Sequence, residues 1–225
     1  MRLNIAIDGP VGAGKSTVSD EAARRLGILH LDTGAMYRAL GLTALRRNIP
    51  TDDEEAVVRL CEGLDISVLH GKDGQHTLAD GEDVTGLIRT QEVGMAASTV
   101  SRYARVREHM VRLQQKIAAE TDMLVDGRDI CTTVLPHAPV KIYLTASAEE
   151  RARRRYEEMH AKGMSESYEE VLQALRDRDE QDMNRKVEPL RRAEDAELVD
   201  SSNLSFEETV QAILRIVEEK YHEGK

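Results

Sequence analysis

The stretch "GPVGAGKS", Gly9 to Ser16, has the residue types and spacing of a phosphate cradle, G-x-x-x-x-G-K-[ST]. Glycines let a backbone curl until several N–H groups point inward at phosphate oxygens, and a helix that follows adds its positive N-terminal end. Across Gly9, Pro10, Val11, Gly12, Ala13, Gly14, Lys15, Ser16 and Thr17, such a loop would hold the phosphates of a nucleoside triphosphate. Lys15 would reach the β and γ phosphates, and the Ser16 hydroxyl would take a place on Mg²⁺. A merely structural glycine turn would give a lysine little reason to sit there.

Phosphoryl transfer needs cations around the moving group and its acceptor. Arg38 follows "DTG" by just over one helical turn, and Arg128 stands in "VDGRD". In "SYEEVLQALRDRDEQDMNRK", Val171 and Leu175 start an apolar stripe that continues into Arg178, Asp182 and Arg185 at i, i+4 and i+7. Two readings stand here: a helix leaving the core to line a cleft, or a surface ladder worth a few tenths of a kcal/mol per pair. In "EERARRRYEE", Arg151 and Arg155 share a face. That helix is either a solvated charged surface or a lid that closes arginines over phosphates, with "KGMSES" as its flexible connection.

These groups need elements to position them. Short apolar runs at Leu3–Ile7, Ile28–Leu31, Met123–Asp126, Val140–Leu144 and Leu198–Asp200 alternate with helical patterns. Those helices fall at Lys15–Leu26, Thr33–Asn48, after "TDDEE", across Gln91–Glu120, from near Ala148, after "KGMSES" to about Lys186, and over Ser205–Tyr221. Strands alternating with helices predict an α/β layer fold with a mainly parallel sheet, whose ligands gather at the carboxyl ends of the strands. Here those ends carry Asp8-Gly9, Asp32-Thr33-Gly34, Asp126-Gly127-Arg128-Asp129 and Asp200-Ser201-Ser202. Leu64–Thr90 differs: its runs alternate around "GKDG" and "DGED", which predicts a small antiparallel insert.

Composition narrows the class. With one Phe and no Trp, the core must be mainly Leu, Ile, Val, Ala and Met. The formal net charge of -10 argues against a non-specific nucleic-acid binder, which needs a basic surface. Cys61 and Cys131 are far apart and form neither a disulfide framework nor a zinc pattern. "MRLNIAIDGP" is too short an apolar run for a signal peptide, and no stretch approaches the ~20 apolar residues of a membrane helix. The expectation is a soluble, cytoplasmic protein, and nothing in the sequence demands more than a monomer. The phosphate loop alone leaves a GTPase switch, a mechanical ATPase or a small-molecule kinase. No N-K-x-D guanine motif is present, and "DVTG" at Asp83–Gly86 falls within the insert.

"IDGPVGAGKST", "LDTGAMYRA", "IRTQEVGMAAS", "RVRE", "VDGRDICT" and "RDRDEQDMNR", in this order, resemble the bacterial cytidylate kinases over essentially the whole chain. The resemblance implies a P-loop parallel five-stranded sheet flanked by helices, with a three-stranded antiparallel insert and a helical lid. It implies a single kinase unit over residues 1–225: a core near 1–32, 121–150 and 188–225, a monophosphate-binding region near 33–120 with its insert near 64–90, and a lid near 151–187. The implied reaction is ATP + (d)CMP to ADP + (d)CDP, with ATP and Mg²⁺ required and no nucleic-acid or membrane partner. Positions matching Ser98, Arg107 and Asp129 would contact cytosine, and those matching Arg178 and Asp182 the ribose. Thr33, Arg38, Arg128 and Arg185 would surround the acceptor phosphate, and Arg151 and Arg155 the transferring phosphoryl group.

The chemistry suits these roles. Cytosine offers an exocyclic amine that a carboxylate such as Asp129 accepts, where uracil presents a carbonyl. The acceptor phosphate is already a nucleophile, so alignment and charge neutralisation suffice. Two positions depart from the usual family pattern. Thr33 stands where serine is usual and keeps the hydroxyl; Cys131 stands where glycine is usual, and glycine permits backbone angles that cysteine resists. The competing readings are a relaxed UMP/CMP kinase and a P-loop ATPase acting as a switch.

Overall fold

The computed structural model describes residues 3–161 and 163–223; Lys162, in the connection expected to be flexible, and the first two residues of "MRLNIAIDGP" lie outside the described residues. The elements alternate as the apolar pattern requires: β1 (Asn4–Asp8), α1 (Lys15–Leu26), β2 (Leu29–Asp32), α2 (Thr33–Arg46), α3 (Glu54–Gly63), β3 (Ile66–Gly71), β4 (Gly74–Ala79), β5 (Glu82–Asp83), α4 (Gln91–Val100) and α5 (Ala104–Ala118). Then follow β6 (Met123–Gly127), a π-helical turn (Ile130–Val134), β7 (Val140–Thr145), α6 (Ala148–Ala161), α7 (Tyr168–Asn184), β8 (Glu197–Asp200) and α8 (Phe206–Glu223).

Five strands form one parallel sheet in the order β2-β6-β1-β7-β8. Ile5 lies opposite Val140 and Asp8 opposite Tyr143, and β7 pairs in parallel with β8, Tyr143 opposite Leu198. β6, "MLVDG", is buried along its length, as a strand covered on both faces must be. By chain contacts there are two compact units: one runs to Ile28 and resumes at Leu124, the other is Leu29–Met123. In the first, Ile5, Ile7, Leu124, Ile142 and Leu144 meet Val18 and Ala22 of α1 and Val210, Ile213 and Val217 of α8. A satellite cluster joins Ala152 and Met159 of α6 to Val171 and Leu175 of α7, so the apolar stripe expected on α7 is a packing face.

In the second unit the insert is antiparallel, β3-β4-β5. Its second turn has Asp80 at φ 49° and Gly81 at φ 81°, the left-handed pair of a tight hairpin, which is why "DG" stands there. Gly41 of α2 lies so close to α4 that an added Cβ would be 2.9 Å from the Ala97 nitrogen, and that contact fixes the spacing of the two helices.

Most boundaries shift by a residue or two from the sequence expectation, and three of the shifts have a clear local consequence. The second strand is Leu29–Asp32 rather than Ile28–Leu31, because Gly27 closes α1 in a left-handed cap whose N–H bonds to Ala23 and Arg24 carbonyls. α2 stops at Arg46, two residues short of Asn48, which itself sits at φ 50°. α7 stops at Asn184, and Arg185 is extended at φ -62°, ψ 144°. Arg185 therefore does not continue the helical face of Arg178 and Asp182.

Candidate active site

The phosphate loop is built by close approach. A Cβ on Gly9 would fall 1.9 Å from the Leu144 carbonyl oxygen of β7, so only glycine lets the chain leave β1 there. Gly14, at φ 81°, caps α1 and aims the first helical N–H groups back into the loop. Lys15 is buried, and its Nζ donates to the Gly9 and Pro10 carbonyls, both at 2.8 Å. Burial, with Arg128 nearby, pulls its pKa down to about 7 against the opposing pull of Asp126, Asp8 and Asp182. Ser16 Oγ donates to Asp126 Oδ2 at 3.0 Å, which sets a hydroxyl beside a buried carboxylate at the end of β6.

The turn after β6 carries Arg128 and Asp129. Its geometry comes from Asp8, fully buried at the end of β1. One Asp8 oxygen accepts the Ile130 N–H at 2.7 Å and the other accepts the Cys131 N–H at 2.8 Å. Burial raises the Asp8 pKa to about 6 despite those two N–H groups. Arg128 Nε donates to Asp182 Oδ2 at 3.0 Å and its Nη1 to the Gly127 carbonyl at 3.2 Å. Arg178 Nε stands 3.8 Å from the same Asp182 oxygen, and Arg185 Nη2 stands 3.5 Å from Asp129 Oδ1. Burial pushes the Asp182 carboxyl up, but Arg128, Arg178 and Arg185 together outweigh it and hold the pKa below the usual range. Of the expected site residues, then, Arg128, Asp129, Arg178, Asp182 and Arg185 meet in one charged cluster.

The two arginines expected on one lid face part company. Arg151 is buried; its guanidinium bonds to the Ala146 and Val11 carbonyls, each at 2.9 Å, and to Asp179 Oδ2 at 2.7 Å. Arg155, a helical turn later, is partly exposed and bonds to Glu158 Oε2 at 3.1 Å.

In the second unit, Asp32 caps α2 by accepting the Ala35 N–H at 3.1 Å, and its other oxygen pairs with Arg89 Nη2 at 3.2 Å. Thr33, the first residue of α2, is buried. Arg38 Nη1 donates to the Ile88 carbonyl at 3.1 Å and lies against Gly94, where a Cβ would come within 3.1 Å of it. Ser98 of α4 and Arg107 of α5 are both buried; Arg107 donates to the Ser101 carbonyl at 3.2 Å and stands over the Tyr37 ring, 5.8 Å from its centre. Asp8, Asp179 and Arg89 are the contributors that the sequence did not single out. Asp8 was visible as a strand-end carboxylate, but its partners are 122 and 123 residues away.

Residues 5–219 match the protein-family model for cytidylate kinase. The chain belongs to the cytidylate kinase family. It is 50% identical over 218 residues to a protein named cytidylate kinase from Carboxydothermus hydrogenoformans, covering 97% of this chain and 98% of that one. A cytidylate kinase from Bacillus subtilis is 46% identical over 219 residues, again 97% and 98% of the two chains. Solved structures with a similar fold include an uncharacterized protein from Eubacterium ventriosum, with a TM-score of 0.54, 10% identity and coverage of 96% and 99%. Another is a shikimate kinase from Bacteroides thetaiotaomicron, with a TM-score of 0.50, 12% identity and coverage of 96% and 98%. At those identities the likeness speaks to the fold alone.

Cys131, where cytidylate kinases usually have glycine, causes no backbone conflict. It is not among the non-glycine residues at positive φ, which in the described chain are Asn48, Asp80 and Glu188. Its Sγ fills the space between β1 and β7, 3.5 Å from the Ala6 carbonyl and 3.7 Å from that of Ile142. Burial pushes the thiol pKa far up, so it is a packing group rather than a nucleophile.

Proposed function

We propose that this protein transfers the γ-phosphoryl group of ATP to CMP and dCMP, yielding CDP and dCDP. The whole-length likeness to proteins named cytidylate kinase carries this reading. The phosphate loop and the charged cluster after β6 supply the chemistry it needs. Lys15 and the loop N–H groups bind the donor phosphates. Thr33, Arg38, Arg128 and Arg185 hold the acceptor phosphate, Arg178 and Asp182 the ribose, and Ser98, Arg107 and Asp129 the cytosine. Asp129, held beside Arg185, accepts the cytosine amine and leaves uracil facing an unmatched carboxylate.

The Ser16 hydroxyl beside Asp126 is a hard-oxygen pair that suits Mg²⁺, which keeps most of its shell as water and phosphate oxygens. When bound, that ion neutralises charge on the donor phosphates. Ser16 would hold it directly and Asp126 would orient the hydroxyl. Residues 151–187 are the proposed lid: Arg155, paired in the free protein with Glu158, would meet the transferring group, and Arg151 would act from the base of the loop through the Val11 carbonyl. No helix among the described residues is long and apolar enough to cross a membrane. A cytoplasmic monomer completes the proposal: ATP is available there, Cys61 and Cys131 are free thiols, and the reaction needs no second copy.

A coupled ADP-production assay with CMP, dCMP, UMP and AMP tests the reading. CMP and dCMP are expected to be turned over fastest. Equal rates with UMP would overturn the role of Asp129, and ATP turnover that ignores every nucleoside monophosphate would overturn the kinase reading.

A further inference from the structure

The antiparallel insert bonds to the very strand end that carries Thr33. β2 is the first strand of the sheet order, so among the described residues one of its edges has no neighbouring strand. Along a strand, alternate residues direct their N–H and C=O groups to opposite edges. The Leu29 N–H turns one way, toward the Asp122 carbonyl. His30 and Asp32 therefore face the free edge, whose polar groups need other partners.

The insert supplies those partners from two side chains that lie opposite each other on β3 and β4, His70 and Gln75. His70 Nε2 meets the His30 carbonyl at 2.7 Å, and since a carbonyl only accepts, that nitrogen carries the proton. Gln75 does more. Its Oε1 accepts the Asp32 N–H at 2.7 Å while its Nε2 donates to the Asp32 carbonyl at 3.3 Å. One side-chain amide thus pairs with both main-chain groups of Asp32, as a peptide unit of an extra strand would. Gln75 is itself held by a bond from Nε2 to Thr77 Oγ1 at 3.1 Å, and Thr77 is buried. The residue so gripped caps α2, and the next residue is Thr33.

We infer that Gln75 is a positioning residue for the acceptor phosphate: it completes the free edge of β2 and thereby fixes the Asp32–Thr33 turn. The antiparallel insert is on this account a clamp on the phosphate end of the acceptor site. The inference rests on the proposed role of Thr33. Gln75 lies outside the base-reading residues, so its loss should weaken monophosphate binding without changing which base is preferred.

The test is steady-state kinetics of Gln75→Met, Gln75→Glu and Thr33→Ala, with amide hydrogen exchange at Asp32. Met keeps the shape and loses both bonds; Glu keeps the acceptor for the Asp32 N–H and loses the donor. KM for CMP should rise about tenfold in Gln75→Met and about threefold in Gln75→Glu. KM for ATP and the CMP-to-UMP ratio of kcat/KM should stay at the wild-type values. The Asp32 amide should lose its protection in Gln75→Met. Gln75→Glu keeps the question answerable if Gln75→Met folds poorly. If Thr33→Ala raises KM for CMP while both Gln75 variants stay within twofold of wild type, the positioning role is overturned and the reading of Thr33 survives. If Thr33→Ala is itself without effect, the reading of Thr33 fails and takes the inference with it. A parallel rise in KM for ATP would reveal a general loss of structure and overturn the inference as well.

Discussion

Binding of ATP should draw a proton from solution onto Lys15. In the free protein the amine is buried against the Gly9 and Pro10 carbonyls, and burial brings its pKa down to about 7. Phosphate oxygens brought to the same nitrogen favour the ammonium form and restore a pKa well above that. At pH 8 about one Lys15 in eleven is charged before binding and nearly all are charged after, an uptake of about 0.9 proton per ATP. The uptake falls to about 0.5 at pH 7 and below about 0.1 at pH 6. Affinity for ATP should accordingly weaken by about fivefold, or ~1 kcal/mol, between pH 7 and pH 8. Titration calorimetry of ATP into the protein at pH 8, in buffers of different ionisation enthalpy, reads the proton number as the slope of observed enthalpy. Lys15→Met should abolish the slope. A zero slope in the wild type would mean that the two carbonyl bonds outweigh burial and Lys15 is already charged; an unchanged slope in Lys15→Met would place the proton elsewhere.

Other outcomes follow from the same site. Asp129→Ala should reduce the kcat/KM preference for CMP over UMP at least tenfold while KM for ATP holds, as seen in paired-substrate kinetics; a preserved preference would remove Asp129 from base reading. Asp8, whose pKa rises from 3.8 to about 6 on folding, binds more protons in the native than in the unfolded chain between those values. It therefore stabilises the fold less as pH rises through that window, by about 3 kcal/mol in all. Urea unfolding of wild type and Asp8→Asn at pH 4 to 7 should show the two stability profiles diverging with that sign, and parallel profiles would contradict it. Cys61, its pKa raised to about 12 by burial, and Cys131 should both be silent to an aromatic disulfide reagent until urea unfolds the chain; rapid labelling of either in the native protein would contradict the packing role.

What the sequence revealed about this site follows a physical division. The phosphate loop is a local motif whose function depends on residues adjacent in the chain, so "GPVGAGKS" could be read without a fold. The pairing of Arg178 with Asp182 could be read because four-residue spacing on a regular helix survives folding. Periodicity misplaced Arg185, because the helix ends at Asn184 and the arginine reaches Asp129 from an extended segment instead. It also grouped Arg151 with Arg155, which do share a stripe; burial of one and exposure of the other is decided by α7 and the phosphate loop, not by α6. The clamps formed by Asp8 and Gln75 were out of reach for a simpler reason. Their partners lie 122 and 43 residues away, and no local pattern records such a pairing.

The Arg151 guanidinium joins three parts of the first unit: the Val11 carbonyl in the phosphate loop, the Ala146 carbonyl before α6, and the Asp179 carboxylate on α7. A tilt of the α6–α7 hairpin cannot leave Val11 where it was unless one of those bonds is surrendered. The hairpin is thus a lever whose short arm ends in the loop. Loading the loop with a triphosphate and setting the pitch of the two helices become a single mechanical coordinate. Substitutions elsewhere on the hairpin, such as those at the Tyr156 and Tyr168 ring contact, would then be felt as changes in donor affinity.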